Sequence, residues 1–201
     1  MASLYFKKFL FTFSFILVTL ICSLYFFIYA SPPIEKDIRS QYLKAGNFKL
    51  LFDEQPFELY QLKGQPVILY FGYTSCPDVC PVGLAVIRDA LNSSEKFSTV
   101  PALFVTLDPA RDTSERLSEY VAFFHKNIIP LRGSIEQTKS VIESYGGFLR
   151  HNVKAHEGAD KDYLVDHSAY YYLLNKNAEL VRVFDHSISS SDLAEILKSL
   201  L

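Results

Sequence analysis

The sequence predicts an α/β sandwich, a central β-sheet flanked by helices, preceded by one N-terminal transmembrane helix. Three observations carry this. Val67–Phe71 is a continuous apolar run, as expected of a strand buried on both faces, and Ala102–Leu107 reads as the next one. Segments with helical apolar spacing alternate with these strands, the pattern of layered α/β folds. Phe9–Ala30 carries no charge and is almost wholly apolar, so at ~1.5 Å per residue it spans a ~30 Å hydrocarbon core.

The elements follow in order. Lys7 and Lys8 precede the apolar span, and Glu35 and Asp37 follow it. The positive-inside rule then keeps the N-terminus in the cytoplasm and exports the rest. A cleaved signal peptide ending at Ala30 is the alternative. Against it, the run is long for such a segment and Ile28 is large for the −3 position. Cys22 inside the span reads as a lipid-facing or packing residue. Residues 1–30 are thus the anchor, 31–44 a polar linker opened by Ser31-Pro32-Pro33, and 45–201 the domain. Phe48, Leu50, Phe52, Phe57 and Leu59 alternate as in a hairpin around Asp53–Pro56. After the strand Val67–Phe71, Val82–Leu91 is a helix, with Leu84, Ile87 and Leu91 on one face. Ser114 starts a helix carrying Leu117, Val121 and Phe124. Ile128–Leu131 is a short strand, and Ser134–Tyr145 a helix closed by Gly146-Gly147. Asn152–Asp162 is polar and charged, a loop. Ala169–Leu174 and Leu180–Phe184 form strands around a turn, and Ser189–Leu201 is a helix with a Ser start. A sheet of this order, with thiols at the C-terminal end of its first buried strand, is thioredoxin-like.

Composition narrows the function. The chain has 201 residues with 49% hydrophobic and 15% aromatic content, enough for one domain with a sizeable core and no staples. Net charge is −2, and setting Lys7 and Lys8 aside leaves 18 basic against 22 acidic groups. That balance argues against a nucleic-acid binder. The start is neither Arg-rich nor long enough for a mitochondrial transit peptide, so the expected location is the bacterial inner membrane, single-pass, with the domain in the periplasm. That compartment oxidises exposed thiol pairs unless a reductant or a metal holds them.

Two of the three cysteines sit in Tyr70-Phe-Gly-Tyr-Thr-Ser-Cys-Pro-Asp-Val-Cys-Pro81, between a strand and a helix. A helix N-terminus stabilises thiolate, the form that binds soft metals and attacks disulfides. Cys76 and Cys80 at i and i+4 share a helix face, and the spacing permits either a metal clamp or a disulfide. Two buried core cysteines are the bland alternative, against which Pro-Asp-Val-Cys-Pro is turn chemistry. A metal held by two thiolates needs a further ligand. His125, His151, His156 and His186 lie in a helix tail, beside a helix-closing turn, in the charged loop and after the last strand. His167, in Tyr-Leu-Val-Asp-His-Ser just before a strand, is placed to meet the cysteine turn, as a ligand or as a hydrogen-bonded structural residue. Asp166 is placed to orient it, and Asp78 sits between the thiols as either an influence on them or a helix-start carboxylate.

Three motifs, in this order and separation, resemble the Sco/SenC family of copper-binding assembly proteins. They are Tyr70–Pro81, Val105-Thr-Leu-Asp-Pro-Ala-Arg-Asp-Thr113 and Asp162-Tyr-Leu-Val-Asp-His-Ser168, and the likeness runs from about Phe48 to the end. The resemblance implies a thioredoxin-like fold in which Cys76, Cys80 and His167 bind one copper ion. It also implies delivery of copper to, or maintenance of thiols in, the copper centre of cytochrome c oxidase subunit II, with an upstream copper donor or thiol reductant. Two thiolates and an imidazole suit Cu(I) and can hold Cu(II), though zinc accepts the same set. Asp108-Pro109 with Arg111 and Asp112 reads as a turn plus helix capping. Ser75 departs from the bulkier polar residue many relatives carry. The rival reading is a membrane-anchored thiol–disulfide oxidoreductase using Cys76 and Cys80 as a redox disulfide. Against it stand the three-residue spacer and the absence of any proline after Pro130, where such enzymes place one before a late strand. A peroxidase is further off, since Tyr73 rather than Thr lies three residues before Cys76.

Overall fold

The computed structural model describes residues 17–23, 45–151 and 163–201. The chain separates into two units, Met1–Asp37 and Ile38–Leu201. In the first, residues 17–23 are helical, and the rest of the expected anchor lies outside the described residues. Among the described residues, no helix is long and apolar enough to cross a membrane. The linker segment 31–44 and the loop 152–162 also lie outside them.

The second unit opens with the expected hairpin, β1 (Lys49–Phe52) and β2 (Gln55–Glu58), turned through Asp53 and Glu54 at φ 47° and 58°. Two consecutive positive φ values match the right-handed twist of the strands. Leu51 exchanges backbone hydrogen bonds with Arg132, at 2.7 and 2.9 Å, which ties the hairpin to the end of the strand Ile128–Leu131.

The central sheet runs β5 (Ile128–Leu131), β4 (Ala102–Thr106), β3 (Val67–Gly72), β8 (Tyr171–Leu174), β9 (Leu180–Phe184). β3, β4 and β5 are parallel, while β8 and β9 return antiparallel. Residues of β3 alternate between two cores. Val67, Leu69 and Phe71 face the side covered by the hairpin and by α3 (Ile135–Ser144). Ile68 and Tyr70 face α1 (Val79–Asn92), α2 (Ser114–Ala122) and α4 (Ser190–Leu200). Both faces being covered explains why the run is apolar without alternation.

Helix boundaries follow their caps. Thr113, Ser134 and Ser189 each accept a backbone N–H of the first turn, and Ser134 with Gln137 forms a full capping box. Gly146, at φ 73°, ends the stretch after α3. α1 starts three residues earlier than its apolar spacing suggests, so Cys80 lies inside its first turn. Absent from the sequence reading is a two-stranded ribbon of β6 (Leu149–His151) and β7 (Val165–His167), outside the central sheet. Correspondingly, the strand expected from Ala169 begins at Tyr171. A three-residue strand paired across a long excursion leaves too little periodicity to read.

The parallel centre places chemistry by sterics. A Cβ on Gly72, the last residue of β3, would lie 2.8 Å from Cys80 Sγ and 2.8 Å from a Phe104 ring carbon, so only glycine lets the sulfur approach the strand. Gly83 in α1 performs the same service for Tyr70, which is stacked between Phe104 and Tyr171 at 6.4 and 5.0 Å. A Cβ there would sit 2.2 Å from the Tyr70 phenol oxygen. Gly83→Ala should therefore destabilise the domain by about 1–3 kcal/mol, although helix propensity alone would favour Ala by ~1 kcal/mol. Chemical denaturation measures this, and the cost should shrink in a Tyr70→Phe background, which removes the clashing oxygen.

Candidate metal centre

The turn after β3 is closed by the Cys76 N–H donating to the Tyr73 carbonyl at 3.2 Å. Asp78 occupies the N-cap position of α1, but its side chain is exposed and makes no cap bond, so it is not the helix-capping carboxylate. The backbone amides of Asp78 and Cys80, at the start of this helix, favour the thiolate form of Cys76. The neighbouring Cys80 acts in the same direction. Cys80 is the largest of these influences, and together they push the Cys76 thiol down to about 5 against the burial that opposes it. Cys80 moves the other way, raised by its interaction with Cys76 and by full burial. The pair is thus unequal: ionisation is favoured at the half-buried Cys76 and opposed at the buried Cys80. Both are free of disulfide here.

His167 ends β7, opposite Leu149 of β6. Its Nδ1 lies 3.0 Å from the Val165 carbonyl. A carbonyl only accepts, so Nδ1 carries the proton and Nε2 presents its lone pair. Nε2 lies 3.9 Å from Cys80 Sγ. The orienting contact expected of Asp166 therefore comes from the Val165 backbone. Asp166 is exposed, because neighbouring strand residues point to opposite faces.

A buried carboxylate braces the cysteine turn. Asp112 accepts from the Thr74 N–H at 3.0 Å, from the Thr74 hydroxyl, and from the Thr106 hydroxyl at 2.6 Å. Arg116 in α2 reaches the same turn, donating to Thr74 Oγ1 at 2.7 Å and Ser75 Oγ at 3.0 Å. Asp108, also buried, accepts from the Tyr163 hydroxyl at 2.6 Å and pairs with Arg111, whose guanidinium lies 3.7 Å over the Tyr163 ring. The Asp108–Asp112 motif is thus more than a turn and a cap: it ties β3, β4 and the segment before β7 together. Sequence reasoning missed this role, and Thr74, Thr106, Arg116 and Tyr163 with it. The available signal was two carboxylates just after a buried strand, where each needs donors.

Cys76, Asp78, Asp166 and His167 line one open groove of about 520 Å³, with Tyr73 at its base and Phe148 and Leu164 exposed beside it. Of the other histidines, His125 accepts the Asn127 N–H and His186 is exposed, and neither lines the groove. His151 is a β6 residue, and His156 lies outside the described residues. Two donors on one ion, at roughly 2.3 Å for sulfur and 2.0 Å for nitrogen, stand about 3.7 Å apart in trigonal geometry. The Cys80–His167 separation of 3.9 Å is close to that value. Among the described residues no group of three or more His, Cys, Asp or Glu is already arranged to hold a metal ion. The donor set is of the right chemistry, with Cys76 and His167 on one groove.

The chain is similar to several known proteins. The family model described as SCO1/SenC matches residues 36–201. An SCO2-like protein of Rickettsia prowazekii is 34% identical over 77% of this chain and 82% of its own length. The structure of Bradyrhizobium japonicum ScoI with copper bound is 32% identical, with a TM-score of 0.69 over 78% of this chain and 99% of that one. Arabidopsis thaliana ScoI with copper bound is 34% identical, with a TM-score of 0.67 over 77% of this chain and 96% of that one.

The unequal thiols are open to direct measurement. Iodoacetamide should alkylate Cys76 with a rate that levels off above a midpoint near pH 5, while buried Cys80 stays unreactive in the folded protein. Cys80→Ala removes the largest cause of the shift, so the Cys76 midpoint should climb toward the ordinary thiol value of about 8.5. Mass spectrometry of timed, quenched reactions reads both.

Proposed function

The chain belongs to the SCO1/SenC family, and on that premise we propose that it is a copper metallochaperone whose cargo is held by Cys76, Cys80 and His167. The observation that carries this is the 3.9 Å approach of His167 Nε2 to Cys80 Sγ across 87 residues of sequence, with the imidazole in its metal-binding tautomer. Copper suits the site because two thiolates and one imidazole make a soft trigonal set. Cys76, which lines the same groove, supplies the third donor. Copper in the solved relatives of Bradyrhizobium japonicum and Arabidopsis thaliana supports the choice of ion.

The proposed acceptor is the copper centre of cytochrome c oxidase subunit II, or a similar dithiol acceptor, with a copper donor or thiol reductant upstream. The apolar span Phe9–Ala30 would anchor the chain to the bacterial inner membrane with the domain in the periplasm. One observation favours the oxidoreductase as a second reading. A half-buried thiolate at Cys76 beside a buried thiol at Cys80 is also the arrangement of an attacking and a resolving sulfur. Ser168, buried and bonded to Phe148, fills the place where such enzymes carry proline.

Titration of the reduced full-length protein in detergent, with a chromophoric Cu(I) competitor, tests the site. The wild type should bind one equivalent. Cys76→Ser, Cys80→Ser and His167→Ala should each weaken binding beyond the roughly 10–100-fold cost of an outer contact. Unchanged affinity in all three variants would sink the copper reading. A second outcome follows from electron count. Loss of two electrons to an added oxidant, with release of the Cys80 thiol proton, joins the sulfurs and leaves no thiolate, so the fully oxidised protein should bind no stoichiometric Cu(I). Rapid multiple turnover of a disulfide substrate with a recycling reductant, in a protein without copper affinity, would favour the enzyme instead.

A further inference from the structure

The imidazole of the proposed site is held from a distance. Tyr163, Val165 and His167 lie on one face of the segment that becomes β7, while Leu164 and Asp166 lie on the other and are exposed. Val165 is buried in the core, which sets the depth of this segment. Apolar contact is non-directional, so it does not by itself fix where the imidazole stands. Directional contacts come from Tyr163, four residues before His167. Its hydroxyl donates to Asp108 Oδ1 at 2.6 Å, and the Arg111 guanidinium lies 3.7 Å over its ring. Arg111 in turn pairs with the other oxygen of Asp108. Asp108 is buried, and its N–H donates to Thr106 Oγ1, at the end of β4, at 3.0 Å. Arg111 also faces the Tyr73 ring at 5.7 Å, and that ring lies edge-on to the His167 ring, with centroids 5.7 Å apart at 75°. Two routes therefore lead from Asp108 to the imidazole, one along the backbone from Tyr163 and one through the rings. The Val165 N–H adds a longer bond of 3.4 Å to the Tyr73 hydroxyl. The central sheet supplies no such hold, since β7 pairs only with β6 among the described residues.

We propose that Tyr163 is the positioning residue of His167: the clasp it makes with Asp108 and Arg111 registers β7 against the central sheet and so keeps the imidazole within reach of the sulfurs. This deepens the copper reading above and rests on it. A ligand that already stands in place loses little freedom when the ion arrives, whereas one that must be gathered loses more. Contacts that orient a metal-binding imidazole therefore enter the metal affinity, even when they touch neither ring nor ion. The clasp is suited to that task. Its acceptor is a buried carboxylate, so the phenol bond is charge-assisted and stronger than it would be in water. The guanidinium over the ring opposes sliding of the same residue.

Tyr163→Phe removes the hydroxyl and keeps the ring beneath Arg111. Cu(I) affinity of the full-length protein in detergent, read with a chromophoric competitor, should be compared in wild type, Tyr163→Phe, His167→Ala and the double variant. Tyr163→Phe should weaken binding about tenfold in the wild-type background, the low end for a contact that orients a ligand. It should have no further effect once His167 is replaced, because the two residues then act through one path. In the copper-free protein the same substitution should weaken the NMR cross-relaxation between the Tyr73 and His167 ring protons. A general loss of stability would instead weaken binding by the same factor in both backgrounds, or lower only the melting temperature. Either result would overturn the positioning role, as would an unchanged contact between the two rings. If Tyr163→Phe fails to fold, as read by thermal melting, Arg111→Lys decides by the same cycle, since it keeps the charge beside Asp108 and gives up the stacked plane. If His167→Ala weakens binding while the clasp variant does not, this inference alone falls. If wild type binds no copper, or His167→Ala binds it as wild type does, the copper reading falls and this inference with it.

Discussion

A carboxylate sealed inside a protein must find donors, and the one at Asp112 finds them on the ends of two neighbouring parallel strands. Leaving such a charge unsatisfied would cost several kcal/mol, comparable to the whole stability of a domain. The turn after β3 therefore has little freedom in where it goes. Thr74 is drawn to Asp112 by both its N–H and its hydroxyl, Arg116 closes over it, and Cys76 two residues on inherits a fixed place. Gly72 and α1 then bring Cys80 beneath it.

The sheet was legible because its strands are covered on both faces, and such strands write themselves as Val67–Phe71 does. Helices were legible through Ser134 and Ser189, whose caps lie where the sequence puts a hydroxyl before a periodic run. The chemistry of the cysteine turn was legible too, since a helix N-terminus beside two thiols has a limited set of uses. What escaped were contacts between segments far apart in sequence. Asp112 and Thr74 are 38 residues apart, and Asp108 and Tyr163 are 55. Nothing local in Tyr163 announces a carboxylate, and nothing local in Val165 announces that its carbonyl, rather than Asp166, will grip His167. The residue type was readable; its orientation depended on a ribbon of two three-residue strands with no periodic signature.

The halves of the site differ in how they are held. Cys80 sits in a helix packed on the central sheet, and Cys76 is braced by the Asp112 network. His167 hangs on a separate ribbon, joined to the rest through side chains such as Tyr73 and through Ser168. Two-stranded ribbons are marginal alone, so their order depends on such contacts. The sulfurs are thus placed by the sheet and its helix, and the imidazole by side-chain contacts.

The glycine that ends β3 has a consequence for how the site can vary. A Cβ there would lie 2.8 Å from Cys80 Sγ and 2.8 Å from a Phe104 ring carbon. Strand, sulfur and ring thus share one space with none to spare. Any side chain at position 72 would have to displace either the buried sulfur or the aromatic core, so a position that takes no part in the chemistry is closed to change by it.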